Sequence, residues 1–347
     1  MRLLLVSEHL PQAEGTASGR LLRAAGEGLV AAGHDVTAVC WTDQAPSEQL
    51  PAWARWQPVP RGHRAVDHAA ALLRPRWASS ALELPDDADF SFAEDPLSWP
   101  AIAGHHRTGV VVHYSCLLDA RALGTVTPHA LQGHRADRRA VRHATVPLSY
   151  SRRVAGALGG RAAWLPAAVD VPATQLEHQS APRALLLAGW DWPPNLAALR
   201  QLLADWPAVL AAVPGAELLL AGRGCPEVRA DGVRVLGEVP RAVDAFAEAA
   251  VLAFPCPPTS GPKTKVLEAL AAGLPVLTTE AGAEGLADPT VCETAGAQGF
   301  SQALTTLLGD EARRVELAQR GRELVAARHS PAAAATARVA ALSGGCS

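Results

Sequence analysis

The chain has 347 residues, about twice an ordinary domain, so two separately packed cores with a cleft between them are expected. Its apolar share of 49% comes mostly from Ala, Leu and Val rather than aromatics, the profile of helices packed on parallel sheets. A net charge of -3 excludes a general nucleic-acid binder, which needs an excess of clustered cations.

Met1–Glu8 opens the chain with an apolar run too short for a secretory signal, and no stretch further on is long enough to span a membrane. Cys40, Cys116, Cys225, Cys256, Cys292 and Cys346 are scattered, without a C-x-x-C pair or a His at zinc-ligand spacing, so neither a disulfide framework nor a metal site is expected. Reduced thiols in the cytoplasm are the simplest reading, with contact at the inner face of the membrane left open.

Leu3–Val6 reads as a strand, Glu8–Gly19 as a Gly-containing loop, and Leu22, Ala25, Leu29 and Val30 as one face of a helix that stops at Gly33. Asp35–Val39 follows as a second strand, which makes a βαβ start. Between Trp41 and Trp99 only a helix near Asp67–Leu73 and a strand near Asp89–Ala93 can be placed. Gly109–His113 reads as a buried strand that delivers His113 at its carboxyl end, the edge where parallel sheets bind ligands. The second half alternates strands at 184–188, 217–221, 233–236, 251–254 and 275–278 with helices, among them one carrying Leu196, Leu199, Leu202, Leu203 and Trp206. Helical spacing resumes from Phe300 to about Ala340. The division expected is a first domain over 1–170, a linker over 171–182, a second domain over 183–325, and a tail over 326–347 that can cross back to the first.

The segment with most chemistry is Thr259–Thr279, directly after the 251–254 strand. Ser260, Gly261 and Pro262 suit a helix start, whose free amides and positive dipole end bind phosphate, and Lys263 and Lys265 add full charges. Lys265 and Glu268 share a helix face, so a diphosphate beside Lys265 leaves Glu268 near a ribose. By spacing alone, an ordinary amphipathic helix with an exposed Lys–Glu pair fits as well.

The segment resembles the donor-binding signature of family 4 glycosyltransferases. So do Thr279–Leu286, the stretch Leu187–Asn195 with its Gly189 and Pro-Pro-Asn, and Leu219–Gly224. More weakly, the Gly15–Gly19 loop, Ala32–Thr37 and Pro166–Asp170 extend the likeness into the first half. The resemblance implies the α/β GT-B fold, two Rossmann-like, doubly wound parallel-sheet domains facing across a cleft. It implies transfer of a sugar from a nucleotide-diphosphate sugar, with retention and without metal or other cofactor, from a UDP- or GDP-linked hexose donor. It also implies Lys265 for the diphosphate and Glu268 for the ribose. Gly15, Ser18 and Gly19 are then expected near the phosphates, and His113 near the transferred sugar. Gly189, Asn195, Arg223, Ser260, Gly261, Pro262, Lys263 and Val266 complete the expected donor contacts. Two departures stand out: Ser260 occupies the place of a first glutamate, and Trp190-Asp-Trp192 that of an Arg/Lys clamp.

Glu94 and Asp95, at a strand end, are candidates to orient an acceptor hydroxyl, or else lie in a solvated loop. Asp86, Asp87 and Asp89 form an acidic loop read as hydrated rather than metal-binding. Arg135, Arg138, Arg139 and Arg142 fall on one helix face, suited to an anionic lipid head group, an acidic acceptor or plain solvent. The acceptor expected is a small molecule, a lipid-linked molecule or a glycan, and no nucleic-acid partner is expected. Two other readings keep the fold: an inactive homologue that binds nucleotide sugar or glycan, and a nucleotide-sugar epimerase.

Overall fold

The computed structural model describes residues 1–42, 45–58, 82–177 and 179–344 and divides them into two units. The first comprises Met1–Ala168, Ser260–Pro262 and the chain from Ser330 onward; the second comprises Val169–Thr259 and Lys263–His329. The helix expected near Asp67–Leu73 lies outside the described residues.

In the first unit the elements are β1 (Arg2–Ser7), α1 (Ala17–Ala31), β2 (Asp35–Thr42), β3 (Ala54–Pro58), β4 (Phe90–Ala93), α2 (Trp99–Ile102) and β5 (Thr108–Val112). Then come α3 (Cys116–Ala122), α4 (Pro128–His143), β6 (Val146–Ser149), α5 (Arg152–Ala157) and β7 (Ala163–Trp164). All pairings are parallel, in the order β3-β2-β1-β4-β5-β6-β7. Helices on both faces explain why β1, β4 and β5 are almost continuously apolar: neither side of these strands meets water. The order reverses between β1 and β4, so the loops after these two strands flank the crevice of the sheet.

The second unit runs β8 (Arg183–Leu187), α6 (Pro193–Ala212), β9 (Glu217–Ala221), β10 (Val233–Gly237), α7 (Ala242–Phe246) and β11 (Val251–Phe254). It continues with α8 (Thr264–Ala272), β12 (Val276–Thr278), β13 (Glu293–Thr294), α9 (Phe300–Gly309) and α10 (Glu311–Arg328). Its parallel sheet, β10-β9-β8-β11-β12-β13, repeats the same winding with the reversal between β8 and β11. Gly273 closes α8 at φ +85°, a backbone state that side-chain-bearing residues adopt at a cost. The buried Arg314 guanidinium donates to the carbonyls of Leu307 and Leu308, capping the end of α9. Residues 169–182 are tied into this unit through Leu176 N–H to Ala272 O and Arg322 to Pro172 O.

The last helix, α11 (Pro331–Gly344), belongs to the first unit and packs on α1. Ala24, Ala25, Ala168 and Ala334 form the contact, and a Cβ at Gly28 would lie 2.1 Å from Pro331 O, so small residues permit the close approach. Among the described residues no helix is long and apolar enough to cross a membrane.

Candidate functional site

The second unit gathers polar groups where its strand order reverses. The chain leaving β8 passes Gly189 and enters α6 through Pro193-Pro194, a favourable pair for a first turn, which buries Asn195 to 3% exposure. Asn195 donates through Nδ2 to Gly189 O at 2.7 Å, which aims its Oδ1 at Lys265 on α8. Lys265 Nζ donates to that oxygen at 2.7 Å and lies 4.1 Å from the centre of the Phe254 ring, at the end of β11. Burial lowers the ammonium pKa to about 7, opposed by Cys256 and Glu268 and reinforced by Lys263. The lysine is therefore held inward by an amide and an aromatic face, not displayed on an outer helix surface. Glu268 lies one turn further along, half-buried.

Lys263 is buried and forms the N-terminal boundary of α8, so the helix begins three residues later than the Ser-Gly-Pro signal predicts. Ser260 is used differently: its Oγ accepts from Ser115 N–H at 2.8 Å, and its own N–H donates to Asp119 at 2.6 Å. Ser260, Gly261 and Pro262 group with the first unit and do not form the first turn of α8. Val266 donates its N–H to Lys263 O. Arg223, after β9, sits 3.4 Å from Asp191, both largely exposed, a geometry worth little in water.

In the first unit, Thr16 caps α1 by accepting from Gly19 N–H at 3.2 Å, so this amide, expected near phosphate, has an internal partner. Gly19 is needed for another reason: a Cβ there would meet Leu10 O at 2.2 Å. Gly15 accepts from Arg20 through its carbonyl at 2.8 Å. Ser18 Oγ lies 3.3 Å from His113 Nδ1, joining the first turn of α1 to the end of β5. The His113 ring packs on Tyr150 with centres 4.8 Å apart, and its buried Nε2 has no partner among the described residues. Burial, with the charges of His9 and Arg338, pushes the imidazole down to about 3, so it is neutral at physiological pH. A neutral ring can hold a hydroxyl; it supplies no imidazolium.

The two acceptor candidates are corrected by their surroundings. Glu94 is 2% exposed and bound by both terminal nitrogens of Arg338 from α11, whose guanidinium also lies 4.9 Å from the Phe92 ring centre. Burial disfavours that cation, but Glu94 and Tyr150 together hold its pKa above the usual range. Asp95 accepts from Ser7 Oγ, Glu8 N–H, and both N–H and Oγ of Ser98. A carboxylate saturated in this way anchors a loop. The Asp86–Asp89 loop is tethered by Arg2, which contacts Asp87 at 2.7 Å and donates its N–H to Asp89 at 2.8 Å. Among the described residues, no group of three or more His, Cys, Asp or Glu side chains could hold a metal ion.

Sequence reasoning missed Arg338, Tyr150 and Asp119. For Arg338 a signal existed, because it is the one charged residue in the Ala-rich run Pro331–Gly344. A lone cation there has to find a partner in the core or leave the helix exposed.

Residues 182–310 match the model of the family described as Glycosyl transferases group 1, in agreement with the resemblance read from the motifs. No curated protein sequence matches the chain. Among solved structures, sucrose-phosphate synthase from Thermosynechococcus elongatus superposes with a TM-score of 0.74 at 16% identity, covering 99% of this chain and 98% of that one. A variant of S. aureus TarM, in complex with fondaparinux, α-GlcNAc-glycerol and UDP, gives 0.75 at 7% identity over 99% and 100%. Anabaena HepE in complex with UDP and glucose gives 0.68 at 12% identity over 99% of each chain. The fold is GT-B, with two Rossmann-like parallel sheets.

Proposed function

We propose that the chain is a glycosyltransferase of the GT-B type, moving a hexose from a UDP- or GDP-linked donor to an acceptor hydroxyl, with retention and without metal. The observation that carries this reading is Lys265, half-buried against Phe254 and held by Asn195 at the reversal point of the second sheet. A cation prepared there suits the diphosphate that departs when the C1–O bond breaks and its electron pair passes to phosphate oxygen. As the acceptor oxygen bonds to C1, its proton passes to an oxygen of the leaving diphosphate. Glu268 is assigned to the ribose hydroxyls, and His113, neutral and with its Nε2 available, to a hydroxyl of the transferred sugar. The UDP complexes of the structural neighbours favour a UDP-linked donor. A second reading, nucleotide-sugar binding without transfer, is favoured by Trp190-Asp191-Trp192, which stands where the resembled family has an Arg/Lys clamp on the diphosphate.

The test is calorimetry with UDP, GDP, ADP and dTDP, with and without magnesium, on the native chain and on Lys265→Ala and Glu268→Ala. Selective, metal-independent binding that falls about tenfold or more in each variant supports the donor site. Transfer to an acceptor, or hydrolysis of the bound donor, then separates an enzyme from a binder. Absence of binding to all four nucleotides rejects the reading.

A further inference from the structure

Charge is distributed unevenly in this protein. The chain as a whole carries 31 Lys and Arg against 34 Asp and Glu, yet residues 116–164 hold eight arginines against two aspartates. Of the two aspartates, Asp137 is buried, which pushes its carboxyl up to about 7, and Asp119 is half-buried and accepts from Ser260 N–H. Helix α4 is the centre of this region. Ala130, Asp137, Ala140 and Val141 form its buried side, while Arg135, Arg138, Arg139 and Arg142 are all exposed. None of these four makes an ion pair among the described residues.

Next to the arginines lies an apolar tip. Leu131 is 42% exposed and precedes Arg135 by one turn on the same face, and the turn leading into α4 exposes Leu123 (55%) and Val126 (49%). Helical rise places Leu131 and Arg142 about 16 Å apart, so Leu131 and the arginines run along one helix face, with Leu123 and Val126 exposed in the turn that leads into it. Exposed leucine and valine at the end of a basic helix face gain nothing from a soluble acidic polymer, whereas an anionic bilayer offers apolar depth and negative charge together.

We propose that the α3–α4 turn and the arginine face of α4 dock on an anionic phospholipid surface, with Leu123, Val126 and Leu131 entering the interface and the four arginines meeting the head groups. This goes beyond the donor-site reading and does not depend on it. It brings the first unit to the surface where lipid-borne acceptors are found.

The test is sedimentation of the full chain with phosphatidylcholine vesicles, with and without phosphatidylglycerol, at low and high salt. Binding is expected only with the anionic lipid and should weaken as salt screens the arginines. Arg138→Gln with Arg142→Gln should reduce the affinity about 25-fold, at about fivefold per arginine. Leu123→Ser, Val126→Ser and Leu131→Ser together should reduce it at least tenfold while leaving the salt dependence in place. The positions are exposed, so thermal midpoints should be unchanged; nucleotide binding, measured on the same preparations, keeps failure here distinct from failure of the donor site. No binding to anionic vesicles, or equal binding by the arginine variant, overturns the proposal. So does equal competition by soluble polyglutamate together with no effect of the serine variant, a result that would assign the face to an acidic polymer.

Discussion

Lys265 combines a half-buried position, a single neutral hydrogen-bond partner and an aromatic face, and this combination makes its charge conditional. With its pKa lowered to about 7, the lysine loses its proton as the pH rises through neutrality in the free protein. A bound diphosphate favours the charged form and raises that pKa, so binding above pH 7 takes up a proton. The affinity should be flat with respect to this group below pH 7 and should fall by up to about tenfold per pH unit above it. Calorimetry in two buffers of different ionisation enthalpy measures the uptake directly, and a proton count of zero above neutrality would contradict the assignment. Lys265 could be singled out in the sequence because its motif is contiguous. The surroundings of Glu94 and Asp95 were not legible for the opposite reason: strand-end position is a local property, but their partners Arg338 and Ser7 lie 244 and 88 residues away.

Several elements departed from their local signals because packing outweighed propensity. Pro207 is a helix breaker by local rules, yet α6 runs on to Ala212, with Trp206 and Val209 buried on either side. The proline costs about 3 kcal/mol in a helix interior, which two buried side chains of this size offset. In α8 the Ser-Gly-Pro signal did not set the helix start: Ser260 is engaged by Ser115 and Asp119, and the helix begins at Thr264. Helix α11 depends on one ion pair more than on its pattern, since Arg338 and Glu94 are each 2% exposed. Arg338→Leu should leave a buried carboxylate without its partner and destabilise the first unit by about 3–5 kcal/mol, whereas Arg338→Leu with Glu94→Leu should recover most of the loss. Urea denaturation of the two variants checks this. Equal destabilisation would mean that the helix contact, rather than the charge, is what matters.

At the scale of the whole molecule, the chain forms two units whose sheets repeat one winding, and the groups assigned to the nucleotide, Lys265, Glu268 and Asn195, all lie in the second. A nucleotide should therefore stabilise the second unit, by about 2.7 kcal/mol at a hundred times its Kd. Scanning calorimetry should show that unit's transition moving up with UDP in the native chain and not in Lys265→Ala. Class and winding followed from the sequence by itself, because apolar periodicity and glycine or proline punctuation act over a few residues and report local structure directly; the assignment of the 259–279 segment to a nucleotide came from its resemblance to a family signature, since spacing alone fits an ordinary helix as well. Tertiary structure alone decided which polar groups remain available for chemistry. Glu94 and Asp95 are consumed by partners, the Gly19 amide is taken by Thr16, and His113 is neutral, with its buried Nε2 unpartnered among the described residues. The physical reason is that hydrogen bonding and charge depend on distance in space, and the residues that satisfy or expose a buried group can come from anywhere along the chain.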